Sequence, residues 1–317
     1  MTAGDLPDDW ESNLRRIASA GTEVIEPFMR ILNERPQPKT LYHYTNDVGL
    51  KGILESGKLW LTDVFDMNDP SEISHGISFA VEHLTAKSAG APYPVTFFAD
   101  VFARFPQDGV RASAHYFVCS LSSDGDDLGQ WRSYGDDGRG YALGFDADTL
   151  AKVFHRDDQF ACSSFPVTYE DAQLTRMQAA LVDSAFPFLL PAGLAEVSSE
   201  VQRGYYTELG TALPLNVLAV ALLFKHEAYR NESEYRLLKM RRADEPPPGV
   251  KLRAHRNSVG RYVELDWRAM EPTALSEFVI GPTAQKERAH RFLNDCILLS
   301  RHSIGTIRES TIPYRGR

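Results

Sequence analysis

Short aromatic and β-branched runs recur along this chain, but a helical stretch does not regularly separate one from the next. Strand composition falls at 41–45, 59–62, 115–121, 141–145, 235–240, 250–255, 262–265, 278–280 and 304–313. Helical periodicity falls at 9–33, around Leu50 and Leu54, from Ile73 to Leu84, across 171–224 and at 284–299. A doubly wound parallel sheet would need the two patterns to alternate, so the chain is expected to be α+β. Pro36 and Pro38 close the first helix and mark the one boundary. A helical segment (1–38) is therefore expected to precede a single α+β domain (39–317). That domain carries a helical insertion at about 171–224, interrupted at Pro187, Pro191 and Pro214.

Local signals place several element ends. Asn46 or Asp47 should cap a helix that Gly57 stops, and Asn68 or Asp69 should cap the next. The aspartates from Asp124 to Asp127 make a turn and cap before a short helix at 128–134, which Gly135 closes.

Hydrophobic residues at 43% and charged residues at 24% suit a soluble globular protein. The formal charge of -9 argues against broad coating of nucleic acid but leaves room for a local basic site. One segment stands apart: 236–261 holds eight Lys/Arg against Asp244 and Glu245, so it carries +6 and the remainder -15. Either a phosphate-bearing partner or an exposed hairpin of alternating charge accounts for it.

Cys119, Cys162 and Cys296 are far apart and match neither a disulfide framework nor a zinc spacing. No metal is expected. The acidic start lacks a signal-peptide pattern and no window reaches a membrane-spanning length, so a cytoplasmic location away from membranes is expected. No Gly-x-Ser-x-Gly elbow, phosphate-binding loop or dinucleotide Gly-x-Gly-x-x-Gly occurs.

Three groups of residues carry the candidate chemistry. Glu232 and Glu234 lie two apart at an apparent strand start, where an extended chain points both to one side and crowding raises one carboxyl pKa. Solvated glutamates at an exposed strand end are the plainer reading. His43 sits between Tyr42 and Tyr44 on the first strand, where a structural histidine is also common. Trp131, Arg132 and Tyr134 share one short helix and could stack a flat ring and pair a phosphate, unless Trp131 is turned into the core.

In order along the chain, L-Y-H-Y-T (41–45), L-W-L-T-D, N-D-P-S-E (68–72), Q-W-R-S-Y-G with A-L-G-F (130–145), F-K-H with E-S-E-Y-R (224–236) and a terminal I-P-Y-R resemble an uncharacterised bacterial family, domain of unknown function 2971. That family implies no activity. The opening strand-His-helix-strand unit with a late Glu-x-Glu is more distantly similar to ADP-ribosyltransferases. This second resemblance implies a mixed, mainly antiparallel sheet with peripheral helices, and NAD as substrate.

It further implies that His43 grips the NAD ribose and that the backbone near Tyr44 and Thr45 holds the nicotinamide amide. Glu234 would stabilise charge at the ribose and Glu232 would orient the acceptor. The middle aromatic falls to Trp131 or Tyr134, and Arg132 or Arg139 would face the pyrophosphate. A nucleic-acid or protein acceptor near 236–261 and a toxin or phage-defence setting follow from the same resemblance. Two alternatives stand beside it. One is a nucleotide-binding sensor without catalysis. The other is a divalent-metal nuclease built on Asp69, Glu72, Asp126 and Asp127.

Overall fold

The computed structural model describes residues 6–67, 70–105, 107–242, 248–255, 258–269, 274–301 and 305–316. Asn68, Asp69, Asp244, Glu245 and Arg256 lie outside the described residues.

A mixed, mostly antiparallel sheet with helices against it forms the α+β architecture. Helix α1 (Asp8–Glu34) precedes β1 (Thr40–Thr45), α2 (Asp47–Ser56) and β2 (Lys58–Asp63). Then come α3 (Pro70–Ser88), α4 (Tyr93–Ala103), α5 (Gln107–Ser113), β3 (Ala114–Ser122), α6 (Leu128–Ser133), β4 (Tyr141–Asp146) and α7 (Ala147–Phe154). The chain continues through β5 (Ala161–Pro166), α8 (Asp171–Ala185), α9 (Ser199–Ala221), β6 (Glu234–Arg242), β7 (Lys251–His255) and β8 (Ser258–Asp266). It closes with β9 (Leu275–Ile280), α10 (Lys286–Ser300) and β10 (Thr306–Glu309).

Local chemistry explains the entry to the sheet. The Asn46 side chain accepts a hydrogen bond from Gly49 N, and Gly57 ends α2 in the left-handed conformation at φ 67°. Asp127 caps α6 in the same manner, accepting from Gln130 N. Two expectations differ. Helix α9 runs straight through Pro214, because Leu209, Leu213, Val217 and Leu218 on either side are buried in one core. Strand β5, with its Cys-Ser-Ser run, has no strand-like composition and forms by pairing along β6.

Each sheet face has its own core. Helices α1, α3, α4, α8 and α9 pack over Tyr116, Val118, Phe165 and Leu238. Here Phe28 of α1 stacks on Phe224 at 5.3 Å. Helices α2, α7 and α10 cover the other face, over Phe117, Cys119, Leu121 and Leu143.

The feature that positions the site is a fork. Strand β3 pairs along its whole length with β6, from Ala114↔Arg242 to Ser122↔Glu234. Its other edge is shared: β2 takes Phe117 and Val118, while β1 touches only Ser122, through Tyr42. Between these points β1 follows β4 and β2 follows β8, so the two strands diverge. The edges of β3 at 119–121 and of β1 at 43–45 thus face a gap instead of a strand, among the described residues.

Candidate functional site

The fork opens into a cleft of about 660 Å³. Tyr42, His43, Tyr44 and Thr45 line it from β1, residues of α2 and β2 from the next wall, and Val118 to Ser122 from its floor. Glu72, Gln130, Tyr134, Lys225, Glu232 and Glu234 close one end.

That end is an ion cluster built from distant parts of the chain. Glu72 stands in the first turn of α3 and Lys225 just past α9, where its backbone N–H donates to Thr168 O. Glu232 ends a 3-10 turn (Glu227–Glu232), Ser233 turns left-handed at φ 46°, and Glu234 begins β6. Lys225 Nζ reaches Glu232 Oε2 at 2.6 Å, Glu72 Oε1 at 2.8 Å and Glu234 Oε2 at 3.2 Å. Arg236 Nε donates to Glu234 Oε1 at 2.7 Å, and Arg236 also reaches Glu72 Oε2 at 2.8 Å. Three carboxylates therefore share two buried cations, and neutralising one cation would leave buried charge without a partner.

The two glutamates of the pair are not equivalent. Glu234 is 5% exposed, and its carboxylate also accepts from Ser120 Oγ at 2.6 Å. Burial favours its protonated form, but Arg236 and Lys225 outweigh that and hold its pKa at about 2. Glu232 is less enclosed, and burial pushes its pKa above the usual value despite Lys225. Its Oε1 accepts no hydrogen bond among the described residues.

Extended-chain spacing does not bring this pair together, contrary to the sequence-based expectation. The 3-10 turn and the left-handed Ser233 break the strand between them, and their common cation Lys225 gathers the carboxylates. Ser122 Oγ fixes the turn by donating to Glu232 O at 2.8 Å.

His43 lines the cleft, and its imidazole makes no hydrogen bond among the described residues. Burial lowers its pKa to about 4, so the imidazole is neutral at neutral pH. Its register partner is Leu143, on the α2 side, whereas Tyr42 and Glu234 both pair with Ser122 on the α3 side. His43 and Glu234 thus approach one cleft from opposite sides of the sheet, through the gap of the fork.

Tyr134 is 47% exposed and lines the cleft, and burial of its hydroxyl pushes its pKa up to about 12. Trp131 is different: it is fully buried, stands edge-on to Tyr44 at 4.8 Å, and donates Nε1 to Asp126 Oδ1 at 2.8 Å. It cannot stack a ligand. Buried Tyr44, Ala142 and Val279 surround its rings while Asp126 takes its N–H, a combination of apolar packing and one donor that suits an indole.

Arg132 and Arg139 are exposed and do not line the cleft, so neither faces a ligand there. Arg139 is instead held by Asp136 at 3.0 and 3.1 Å. The Tyr44 hydroxyl is consumed structurally, donating to Asp124 O and accepting from Asp127 N. Tyr44 and Thr45 line the cleft along the edge of β1 turned away from β4.

The acidic residues considered for magnesium that the structure describes are engaged elsewhere. Glu72 belongs to the ion cluster, Asp127 caps α6, and Asp126 accepts from Trp131, Ser310 and Thr311. Among the described residues no group of three His, Cys, Asp or Glu is arranged to hold a metal, and no helix is long and apolar enough to cross a membrane.

The basic segment is not one surface. Arg236 is buried in the cluster, Lys239 pairs with Asp157, Lys251 with Glu264 and Arg261 with Asp63.

Residues 130–237 match the family model described as Protein of unknown function (DUF2971). That span takes in Tyr134, Lys225, Glu232, Glu234 and Arg236. Neither the curated proteins nor the solved structures gave a match.

Sequence reasoning missed Lys225 as the hub of the site and Glu72 as its partner. The available signal was a lone lysine directly after the apolar Leu222-Leu223-Phe224, where a charge must either leave the core or find partners inside it.

Proposed function

We propose that this chain is an ADP-ribosyltransferase-like enzyme that uses NAD as substrate and transfers ADP-ribose to a nucleic-acid or protein acceptor. The observation that carries the reading is the cleft in the fork, where His43, Tyr134, Glu232 and Glu234 meet two strand edges that are unpaired among the described residues.

In this reading the roles of the two glutamates exchange. Glu234, saturated by Arg236, Lys225 and Ser120, fixes the cluster. Glu232 presents its free oxygen to the cleft and supports the reacting ribose. The bond between ribose C1′ and the nicotinamide nitrogen breaks, and its electron pair leaves with nicotinamide. Positive charge spreads over the ribose, where a nearby carboxylate lowers its energy. An acceptor nucleophile then bonds to C1′ and gives its proton to Glu232. The backbone edge of 43–45 turned away from β4 holds the nicotinamide amide, and the His43 imidazole, neutral and without a hydrogen bond among the described residues, serves as a ribose or ring contact.

The test is nicotinamide release and transfer of label from radiolabelled NAD to protein, DNA or RNA, for wild type and Glu232→Gln. Release that Glu232→Gln abolishes supports the reading. Absence of both NAD binding at millimolar concentration and labelled product with every acceptor class ends it.

A nucleotide-binding sensor without catalysis is the second reading, favoured by the saturated carboxylate of Glu234 and by its approach from the side opposite His43. NAD binding with no release of nicotinamide would select it.

A further inference from the structure

Strands β2, β8 and β7 carry a second, differently built wall of the same cleft. Ladder register puts Lys58, Trp60 and Thr62 on one face with Tyr262, Glu264, Lys251 and Arg253. On the opposite face Leu59, Leu61, Val263 and Leu265 are buried. The Trp60 indole leans on Tyr262 at 4.3 Å between ring centroids, yet 45% of the residue remains exposed beside the cleft.

Charges on this wall cancel in pairs with one exception among the described residues. Lys58 is held by Asp266 at 2.5 Å and Lys251 by Glu264 at 2.9 Å. The Arg253 guanidinium makes no hydrogen bond or ion pair among the described residues, although its Nε is buried and the residue lines the cleft. A buried guanidinium donor without an acceptor is unfavourable, and native proteins keep few of them without a use.

We propose that Trp60 and Arg253 form a nucleoside-phosphate subsite, with the base stacked on the Trp60 indole and the phosphate accepting from the Arg253 guanidinium. Both halves follow from general chemistry. An exposed indole offers a flat apolar face to any base, and guanidinium matches phosphate oxygens in a bidentate fork.

The spacing is suitable. Two strand separations of about 4.8 Å and four residues of about 3.4 Å put the two Cα atoms roughly 17 Å apart. Both residues line the same cleft, so one ligand lying along the wall can reach them together. Glu264, the nearest carboxylate on the wall, has its charge held by Lys251 and so opposes the phosphate only weakly.

The subsite stands on the wall itself and does not require that the ion cluster break any bond. The experiment is calorimetric titration of the full chain with AMP, adenosine and NAD, for wild type, Arg253→Gln, Arg253→Lys and Trp60→Leu. AMP should bind wild type, and Arg253→Gln should weaken it by about tenfold or more while leaving adenosine unchanged. Trp60→Leu should weaken AMP and adenosine alike, and Arg253→Lys should recover part of the phosphate preference.

NAD that competes with AMP and binds more tightly assigns the subsite to the adenylate half of a dinucleotide. AMP that binds alongside NAD assigns it to a separate nucleotide. Both results support the subsite. It is overturned if wild type does not bind AMP at millimolar concentration, or if AMP affinity is the same in Arg253→Gln and Trp60→Leu as in wild type. A wild type that binds AMP but releases no nicotinamide from NAD would count against the transferase reading alone.

Discussion

The Lys225 ammonium lies 2.6 Å from Glu232 Oε2, and this contact joins the end of α9 to the turn before β6. Lys225 is only 3% exposed and its pKa is raised, because Glu234 and Glu72 outweigh the burial that would lower it. Replacing it with methionine keeps the stem but strands three carboxylates around one arginine. Lys225→Met should cost about 3–5 kcal/mol, the range for removing one partner from a buried ion cluster. Urea denaturation followed by circular dichroism measures it, and a loss below about 1 kcal/mol would show that the cluster is not held as described.

The two glutamates should separate activity from stability. Glu232→Gln removes a carboxylate that keeps one oxygen unbonded among the described residues, so stability should change by no more than about 1 kcal/mol while the proposed nicotinamide release should be lost. Glu234→Gln loses the charge that Arg236 and Lys225 share and should destabilise by about 2–4 kcal/mol. Parallel denaturation curves and NAD turnover read both effects. Equal loss of stability in the two variants would contradict this division of roles.

His43 makes a pH prediction. Its folded pKa of about 4 lies below the ordinary value of 6.5, so on acidification the unfolded chain takes up a proton before the folded one does. The stability due to neutral His43 is therefore complete above pH 6.5 and is lost as the pH falls towards 4. A loss of about 2–3 kcal/mol is expected across that window, less where the cleft admits water. Glu234 acts lower, from pH 4.5 down towards 2, since its folded pKa is depressed from 4.5 to about 2. Thermal melts from pH 7 to 4 should be flatter for His43→Gln than for wild type.

Trp131 is assigned a packing role by its burial and by its bond to Asp126. Trp131→Phe should cost about 1–3 kcal/mol, from one lost hydrogen bond to a charged group and a partly filled space. Nucleotide affinity should stay within about threefold of wild type, as titration calorimetry would show. A larger loss of affinity would restore the indole to the ligand.

Much of this protein could be read from residues taken a few at a time. The α+β class, the Asn46 and Asp127 caps, the Gly57 stop and most strands rest on short-range periodicity and capping, which act within a turn or a strand pair. Strand β5 could not be read in this way, because its pairing along β6, rather than its own side chains, makes it a strand.

The same limit applies at the site. Sequence alone singled out His43, Glu232 and Glu234, since charged or titratable side chains beside strand-forming residues stand out locally. It could not show that Ser233 breaks the extended pair, that Glu72 arrives from α3 and Lys225 from the segment after α9, or that Trp131 is turned into the core. Nor could it show the fork itself, which exists because β1 and β2 meet β3 at separate points and then follow different neighbours. Residue type decided which groups were available for chemistry. Long-range strand pairing and the demand that every buried charge find a partner decided which of them face the cleft.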